Sequence, residues 1–230
     1  MLVAAFIVGS VLATVQAKRE HINPDIIFNL CFISFISGII GARIFYIFEN
    51  LGYYVKNPVE IIMLQHGGLS WYGGLISGAL WGSAYLKSKK IPIFGALDLI
   101  APFIALAQGI GRIGCLLNGC CFGKISQYGI YFPVHKLVLI PTQLYSTLIL
   151  VTIFIFLRFL QERPHRVGAI FFTYLLLYSI GRFFIEFWRA DNEIIFHGLT
   201  LFQIISIIVF CISVFSLFLW CRKVYPNGHK

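Results

Sequence analysis

Seven apolar runs, each close to the length that crosses a bilayer, constrain the fold of this 230-residue chain more than any other feature. A helix needs ~20 apolar residues to span ~30 Å of hydrocarbon. Hydrophobic residues make up 59% of the chain and charged residues 12%, which excludes a soluble globular domain and a disordered chain. The predicted spans are 1–17, 26–48, 68–86, 93–117, 143–160, 167–188 and 199–220. We predict an all-α integral membrane protein, with one polytopic domain over residues 1–230 and seven transmembrane helices.

The basic residues set the expected orientation, because the cytoplasmic loops of membrane proteins carry an excess of Lys and Arg. Eleven of the 18 basic residues fall on one side of the predicted spans. They are Lys18, Arg19, Lys87, Lys89, Lys90, Arg158, Arg163, Arg166, Arg222, Lys223 and Lys230. The opposite side carries only Lys56, Lys124, Lys136 and Arg189. We therefore expect an external N-terminus and a cytoplasmic C-terminus, and we attribute the formal charge of +9 to topology and not to nucleic-acid binding.

Three arginines, Arg43, Arg112 and Arg182, lie inside predicted spans, where a charge is costly unless it faces a polar cavity or a partner. At ~1.5 Å per residue they lie roughly 22–28 Å above the cytoplasmic ends of their helices, at one depth in the outer half of the membrane. Glu186 and Arg189 follow Arg182 at i+4 and i+7, which predicts an Arg-Glu-Arg ladder on one helix face. Any single arginine is equally compatible with snorkelling to headgroups or bridging helices. Three together predict a site for an anionic phospholipid headgroup, whose phosphodiester fits a guanidinium fork.

Glycine-rich segments stand at the outer ends of two predicted spans, at residues 67–74 and 109–114. Small residues let helix backbones approach closely, and this packing explanation is the simpler one, although irregular backbone lining a cavity is also compatible. Trp71 and Tyr72 are typical of the aromatic belt at a membrane boundary.

Residues 67–74 read Gly-Gly-Leu-Ser-Trp-Tyr-Gly-Gly, and residues 111–123 read Gly-Arg-Ile-Gly-Cys-Leu-Leu-Asn-Gly-Cys-Cys-Phe-Gly. With further motifs that follow in order along most of the chain, they resemble the prolipoprotein diacylglyceryl transferase family of bacteria. Residues 111–123 are similar to the family signature Gly-Arg-x-Gly-Asn-Phe-x-Asn-Gly-Glu-x-x-Gly, and residues 67–74 to its Gly-Gly-Met/Leu-Ser-Phe-His-Gly-Gly segment. Further matches are Gly41-Ala42-Arg43 with Tyr46, Asp98 with Ala101-Pro102, residues 141–145, residues 181–189, and Gln203 with Ser206. The family's seven spans and external N-terminus agree with the topology expected from charge.

The resemblance implies transfer of the sn-1,2-diacylglyceryl group from phosphatidylglycerol to the lipobox cysteine of a preprolipoprotein, which forms a thioether and releases glycerol-1-phosphate. It implies that Arg112 and Arg182 bind the headgroup and stabilise the departing phosphate, since both match essential arginines of the family. Supporting roles in substrate binding are expected for Arg43, Ser70, Cys115, Asn118, Glu186 and Arg189. We expect no cofactor, and a monomer in the bacterial plasma (inner) membrane with its active site facing the outer leaflet.

Three positions depart from the family pattern. Tyr72 stands where the family has a histidine proposed to help activate the thiol, and a phenol is a poor base at neutral pH unless arginines favour its ionised form. His66 is a candidate replacement, because an imidazole titrates near neutral pH, although a surface or loop histidine is the simpler interpretation. Cys115 and Cys120 stand where the signature has Asn and Glu. Tyr72, His66 and Cys120 are therefore candidate catalytic residues beside the two arginines.

Cys115, Cys120 and Cys121 fall within seven residues at the outer end of a predicted span. Their spacing lacks the two separated ligand pairs of a zinc motif, so we expect no metal. Three interpretations stay open: a disulfide on the oxidising external side, buried small hydrophobic residues, or a catalytic thiol that is activated by Arg112 and forms a covalent intermediate.

Two alternative functions are compatible with the same arginines. A membrane transferase or hydrolase of this fold would act on an anionic phospholipid with a different acceptor or a cysteine nucleophile. A non-enzymatic lipid-binding protein or transporter would bind the lipid without chemistry, although the sequence lacks the evident internal repeat of many transporters.

Overall fold

The computed structural model describes residues 1–63, 67–190, 192, 194–196 and 198–222. Within these ranges the chain forms eight α-helices and a short 3-10 helix, Pro58–Ile61. The α-helices are α1 Leu2–Arg19, α2 Pro24–Glu49, α3 Leu51–Tyr54, α4 Trp71–Ser88, α5 Ile93–Leu117, α6 Thr142–Gln161, α7 Ala169–Glu186 and α8 Leu201–Arg222. Six of these described helices, all except α3 and α4, are long and apolar enough to cross a membrane. The chain is a mostly helical, multi-pass membrane protein.

Each predicted span corresponds to one long helix, and the ends agree to within a few residues. Helix α5 has the predicted bounds, whereas α7 is shorter at both ends than the predicted 167–188. Helix α4 contains 18 residues, but its Gly, Ser, Trp and Tyr residues and Lys87 lower its hydropathy, and it is not among the six apolar helices. Seven crossings therefore stay a prediction.

The structure adds two antiparallel hairpins that the sequence patterns did not predict. Strand β1, Ile125–Phe132, pairs with β2, Leu137–Leu139, between α5 and α6. Strand β3, Ile194–Phe196, pairs with β4, Leu199–Thr200, between α7 and α8. The short strands and the register shift within β1 leave no clear alternation of polar and apolar residues.

Large apolar side chains cover the exposed faces of the long helices. Ile212 and Phe215 of α8 are 53% and 62% exposed, and Ile40 of α2 is 54% exposed. In water such surfaces would drive association, whereas in a bilayer they contact lipid chains. The exposed faces therefore agree with insertion into a membrane.

The chain divides into two compact units, one of residues 10–96 and one of residues 1–9 with 97–230. A single domain over residues 1–230 stays a prediction. In the unit of residues 10–96, α2 packs against α4 through small residues. A Cβ atom on Gly41 would collide with Ser77, and one on Gly73 would collide with the carbonyl oxygen of Gly41. Close backbone approach, the packing explanation for the glycines, is confirmed at Gly73.

In the other unit, α5, α6 and α7 enclose a buried core. Its residues are Ala101, Ala105, Leu150, Ile153, Leu157, Ile170 and Tyr174. Alanines on α5 leave room for the larger side chains of α6 and α7, so the three helices pack closely. The helices that carry Arg112 and Arg182 therefore belong to one packed core.

Helix α5 is held to its neighbours at an internal proline. Pro102 has no N–H, so the carbonyl oxygen of Asp98 one turn earlier lacks its helical donor. Gln161 Nε2 of α6 donates to that oxygen at 3.3 Å. The Asp98 carboxylate accepts hydrogen bonds from the N–H groups of Gly168 and Phe171 at the start of α7, the second at 2.8 Å. A carboxylate there also complements the helix dipole, so Asp98 fixes α7 relative to α5.

Candidate anion site and cysteine cluster

An ion cluster lies at the end of α7 and in the segment that follows. Arg182 Nη2 lies 2.9 Å from Glu186 Oε2, and Arg189 Nε lies 4.0 Å from the same oxygen. The Glu186 side chain is completely buried, while the Arg182 and Arg189 side chains are 11% and 8% exposed. One carboxylate is therefore shared by two guanidinium groups that are largely shielded from solvent.

The predicted ladder along one helix face is wrong in one respect. Helix α7 ends at Glu186, so Arg189 lies in the turn that follows. The backbone leaves the helix because it pairs elsewhere: the N–H of Lys124 donates to the carbonyl oxygen of Trp188 at 2.8 Å, and Gly123 forms a β-bridge with Arg189. A turn, not a helical repeat, brings the three charges together.

Glu186 also connects the ion cluster to the start of α8. Its Oε1 accepts hydrogen bonds from the side chains of Thr200, at 2.8 Å, and Asn192. Thr200 and Gln203 form a capping box: the N–H of Gln203 donates to Thr200 Oγ1 at 3.3 Å, and the N–H of Thr200 donates to Gln203 Oε1 at 3.0 Å. The fold therefore fixes the carboxylate, and through it the position of Arg182.

Arg182 keeps donor capacity that the protein does not use. Its Nη1 atom is buried and has no hydrogen-bond partner among the described residues. Its Cζ atom lies 4.6 Å from the centroid of the Phe202 ring, a cation–π contact that leaves the guanidinium edge available. Because buried polar atoms are nearly always paired, an unpaired one indicates a place for a ligand or a water molecule.

Arg112 and Arg182 line one cavity, together with Ser146, Tyr178 and Gly181. Its volume is about 20 Å³, roughly the room for one water molecule. Within the described part of the chain, the Arg112 guanidinium makes no ion pair or hydrogen bond. With Glu186 as the only carboxylate in the described ion cluster, a surplus of positive charge remains for an anion.

Arg43 lies in the unit of residues 10–96, and its surroundings are different. All five of its N–H groups donate to backbone carbonyl oxygens of one loop, and the cation lies 5.3 Å from the centroid of the Tyr54 ring. The acceptors belong to Glu60, Ile61, Met63, Gly67 and Gly68. No guanidinium donor is left for a headgroup, so the geometry favours a role in ordering this loop over direct substrate binding.

Ser70 and Tyr72 follow that loop at the start of α4. The N–H of Ser70 donates to the carbonyl oxygen of Ala42 at 3.0 Å, and its hydroxyl lies 3.5 Å from Glu49 Oε1. The Tyr72 hydroxyl is buried and has no hydrogen-bond partner among the residues that the structure describes. His66, the candidate replacement base, lies outside the described residues.

The turn after α5 gathers three thiols next to the exposed Asn118. Gly119 and Cys121 adopt positive φ angles of 67° and 61°, which reverse the chain against the helix end. The Sγ atoms of Cys115, Cys120 and Cys121 all lie within 4.8 Å of one another, and all three thiols are free. Cys120 is exposed and the other two are half-buried, so the cluster is not simply part of an apolar core.

The thiols that follow α5 differ in acidity. A hydrogen bond with Cys115 and the positive charges of Arg189 and Arg112 lower the pKa of Cys121 to about 5, against the opposing effect of partial burial. Burial raises the pKa of Cys120. These effects favour the thiolate form at Cys121 more than at Cys120, and the catalytic role of Cys120 stays a prediction.

Sequence analysis missed two contacts of the central carboxylate. The spacing Thr200-x-x-Gln203 is typical of a capping box. It would have predicted that a helix starts after Thr200 and that the Thr200 hydroxyl lies at its N-terminus. Asn192 carries no comparable signal, because only the turn after α7 brings it to Glu186.

Six described helices that are long and apolar enough to cross a membrane, and an arginine-lined cavity with an unsatisfied guanidinium, define a multi-pass membrane protein with a candidate anion site. The family model described as prolipoprotein diacylglyceryl transferase matches residues 1–219. The chain is 33% identical over 222 residues to the phosphatidylglycerol–prolipoprotein diacylglyceryl transferase of Clostridium tetani, covering 94% of this chain and 89% of the relative. It is 34% identical over 242 residues to that of Staphylococcus carnosus, covering 100% and 88%. The chain belongs to the prolipoprotein diacylglyceryl transferase family.

Proposed function

We propose that this chain transfers the diacylglyceryl group of phosphatidylglycerol to the cysteine thiol of a prolipoprotein. The names of its relatives state these substrates. In the reaction a thiolate attacks a glycerol carbon, a C–S bond forms, the C–O bond to phosphate breaks and glycerol phosphate leaves. The observation that carries the proposal is the cavity shared by Arg112 and Arg182, because the expelled phosphate must be stabilised by preorganised positive charge.

Arg112 and Arg182 act on the phosphate. The cavity of about 20 Å³ admits a single oxygen atom and not a whole headgroup, so the phosphate binds at its rim with one oxygen inserted. The unpartnered Nη1 of Arg182 is the donor for that oxygen. Both cations then oppose the negative charge that grows on the leaving group.

Glu186 and Arg189 support this arrangement. Glu186 holds Arg182 in place, and its four partners prevent it from acting as a free base. Arg189 adds positive charge at the same end of α7 and toward Cys121. Asn118 is exposed at the end of α5, where its amide is available to the glycerol part of the headgroup.

The unit of residues 10–96 carries two further candidate residues, Tyr72 and Arg43. Tyr72 is a candidate catalytic residue because its hydroxyl is buried and has no hydrogen-bond partner among the described residues. Arg43 fixes the loop that leads to Ser70 and thereby the start of α4, so its role is positioning. His66 stays a candidate base on the strength of its place in the sequence.

A covalent intermediate on Cys120 is not part of the proposed mechanism. A diacylglyceryl group on that thiol would be attached by a thioether, the same stable bond that the product contains. Such a group would not be passed on to an acceptor, so attachment to Cys120 would end the reaction.

We further propose that α4 is the seventh crossing, that the N-terminus is external, and that the site faces the outer leaflet. The supporting observation is the distribution of Lys and Arg between the two sides of the helices. A single chain carries all the residues assigned above, which supports a monomer.

The test is complementation of a bacterium depleted of its own transferase, with a lipobox reporter as acceptor. We expect mass spectrometry to show thioether-linked diacylglycerol on the reporter. The matched control is the Arg112→Ala, Arg182→Ala double variant, expressed at the same level and expected to give none. Absence of reporter lipidation by well-expressed wild-type chain would contradict the proposal, and phosphatidylglycerol consumption without lipidation would indicate a different acceptor or hydrolysis.

A further inference from the structure

The three-cysteine cluster is held rigidly by residues that have no other evident role. Gln143 Nε2 donates to the carbonyl oxygen of Cys120 and Thr142 Oγ1 to that of Cys121, both at 2.6 Å. Gln143 and Thr142 are each only 1% exposed. Two successive peptides of the cysteine turn are thus fixed from the start of α6, which leaves only side-chain rotation to adjust the sulfur positions.

The distances between the sulfur atoms suit a tetrahedral metal ion. A Zn–S bond is ~2.3 Å long, so the sulfurs of one tetrahedral site lie roughly 3.8 Å apart. The sulfurs of Cys115, Cys120 and Cys121 lie within 4.8 Å of one another, so closing the site requires a movement of about 1 Å. Three thiolates with no oxygen or nitrogen ligand favour a thiophilic ion over Mg²⁺ or Ca²⁺.

The surrounding charge favours such a site. Arg112 and Arg189 both act on Cys121, so two cations stand beside the thiolates. Zn²⁺ with four thiolates carries two negative charges, and the nearby arginines lower the cost of that charge. The exposed position of Cys120 keeps the cluster open to a fourth ligand from outside.

The proposed reaction needs a thiolate, and the described anion site provides no base for making one. The side chains that line the cavity of Arg112 and Arg182 include no carboxylate and no imidazole. Glu186 is paired with two arginines, and its other oxygen accepts hydrogen bonds from Asn192 and Thr200. A metal ion solves this problem directly, because a thiol that coordinates it is deprotonated.

We propose that Cys115, Cys120 and Cys121 bind Zn²⁺ through three thiolates and that its fourth position binds the cysteine thiol of the prolipoprotein. This inference rests on the proposed function. On coordination the substrate thiol releases its proton to solvent, and the bound thiolate attacks the glycerol carbon while the C–O bond to phosphate breaks. The bonding pair leaves with the glycerol phosphate, and nothing is oxidised or reduced.

The first experiment measures metal content without reference to activity. The full chain, purified in detergent, is expected to contain about one Zn²⁺. Cys115→Ser, Cys120→Ser and Cys121→Ser are each expected to lower zinc retention by about tenfold or more. The matched controls are Cys31→Ser in α2 and Cys211→Ser in α8, which lie outside the cluster and should keep the metal. Zinc-free wild-type protein that does not take up added Zn²⁺, or a disulfide within the cluster by mass mapping, overturns the inference.

The second experiment tests the fourth position. Replacement of Zn²⁺ by Co²⁺ should give thiolate charge-transfer and tetrahedral ligand-field absorption. Addition of a lipobox peptide should change the ligand-field bands, and the same peptide with Ser in place of its Cys should not. Bands that are insensitive to the cysteine peptide overturn substrate coordination, even if the metal is bound.

The third experiment separates this inference from the proposed function. Metal-free protein should transfer diacylglycerol at least about tenfold more slowly, and Zn²⁺ but not Mg²⁺ should restore the rate. Full activity in metal-free protein would overturn the zinc inference and leave the transferase function intact. Zinc binding and a cysteine-dependent cobalt spectrum, without any transfer, would uphold the metal site and contradict the transferase function.

Discussion

Arg43 and Arg182 both lie on membrane-spanning helices, but their surroundings are opposite in kind. All five N–H groups of Arg43 donate to carbonyl oxygens of one loop. Arg182 has one carboxylate partner, an aromatic ring, and a buried Nη1 atom that no described residue satisfies. The donors of Arg43 are all used within the protein, whereas Arg182 keeps one donor that no described residue satisfies and that we propose the phosphate uses.

An arginine's depth in the membrane therefore does not by itself show whether it binds the substrate. A phosphate that took the donors of Arg43 would leave loop carbonyls unpaired, and each buried unpaired group costs about 1–3 kcal/mol. The same phosphate at Arg182 would satisfy the Nη1 donor, which is already buried and unpaired among the described residues. The number of unsatisfied donors therefore separates a positioning arginine from a substrate-binding one.

The largest effect is expected from Arg182→Ala. Removal of one preorganised donor to the leaving phosphate should lower kcat/KM by about 100-fold or more. Arg182→Lys should recover only part of this loss, because an ammonium cannot supply both the Glu186 contact and the Nη1 donor. The measurement is reporter lipidation with purified, folded protein, and near-normal turnover of Arg182→Ala would remove this arginine from the mechanism.

Tyr72→Phe tests a second buried group that no described residue satisfies, the Tyr72 hydroxyl. The hydroxyl makes no hydrogen bond among the described residues, so its removal should not lower the thermal stability. If this unsatisfied hydroxyl takes part in the reaction, activity should nevertheless fall by about tenfold or more. Unchanged activity at unchanged stability would show that this hydroxyl does not contact the substrate.

The physical difference between these arginines could not have been predicted from helical periodicity. Periodicity places Arg43, Arg112 and Arg182 in spans and gives their depth, and the helix bounds at α5 are correct. The five acceptors of Arg43 are backbone carbonyls, which every residue possesses and no residue type reveals. Depth and charge therefore predict three equivalent cations. The family resemblance ranks Arg112 and Arg182 above Arg43, and the loop geometry supplies a physical reason.

Chain turns that the sequence does not reveal account for the parts of the site that were predicted incompletely. Arg189 was placed on a helix because i+4 and i+7 spacing continues a helical pattern, but pairing of the neighbouring backbone with residues 123–124 ends α7 at Glu186. The spacing of the three cysteines lacks a known ligand pattern and predicts no metal, and it also gives no sign that their thiols lie close together. Two residues with positive φ, Gly119 and Cys121, reverse the chain and bring the thiols together.

Arg43→Lys tests the arginine whose donors are all used within the protein. A lysine has three donors at one point and cannot reach five carbonyl oxygens, so the backbone at residues 60–63 and 67–68 should lose its order. Limited proteolysis within this loop should become about tenfold faster, while the affinity for phosphatidylglycerol stays within about threefold.

Arg112→Lys is the matched control for that experiment. It should weaken lipid binding and leave the loop protected, because Arg112 belongs to the cavity and makes no hydrogen bond within the described chain. If Arg43→Lys instead abolished lipid binding without exposing the loop, Arg43 would bind the substrate directly, and its assignment as a positioning residue would be wrong.

The smallest effects, on thermal stability, are expected from two glycine substitutions. They compare a closely packed position, Gly73, with an open one, Gly111. Gly73→Ala places a Cβ atom against the backbone of α2, which cannot move without separating the helices, and overpacking of this kind costs about 1–3 kcal/mol. Gly111→Ala, beside Arg112, meets nothing within 4 Å, so the alanine should raise the stability of α5 by up to about 1 kcal/mol. Thermal unfolding in detergent should therefore move in opposite directions for the two variants. Equal destabilisation would mean that the space around Gly111 is filled in the folded protein.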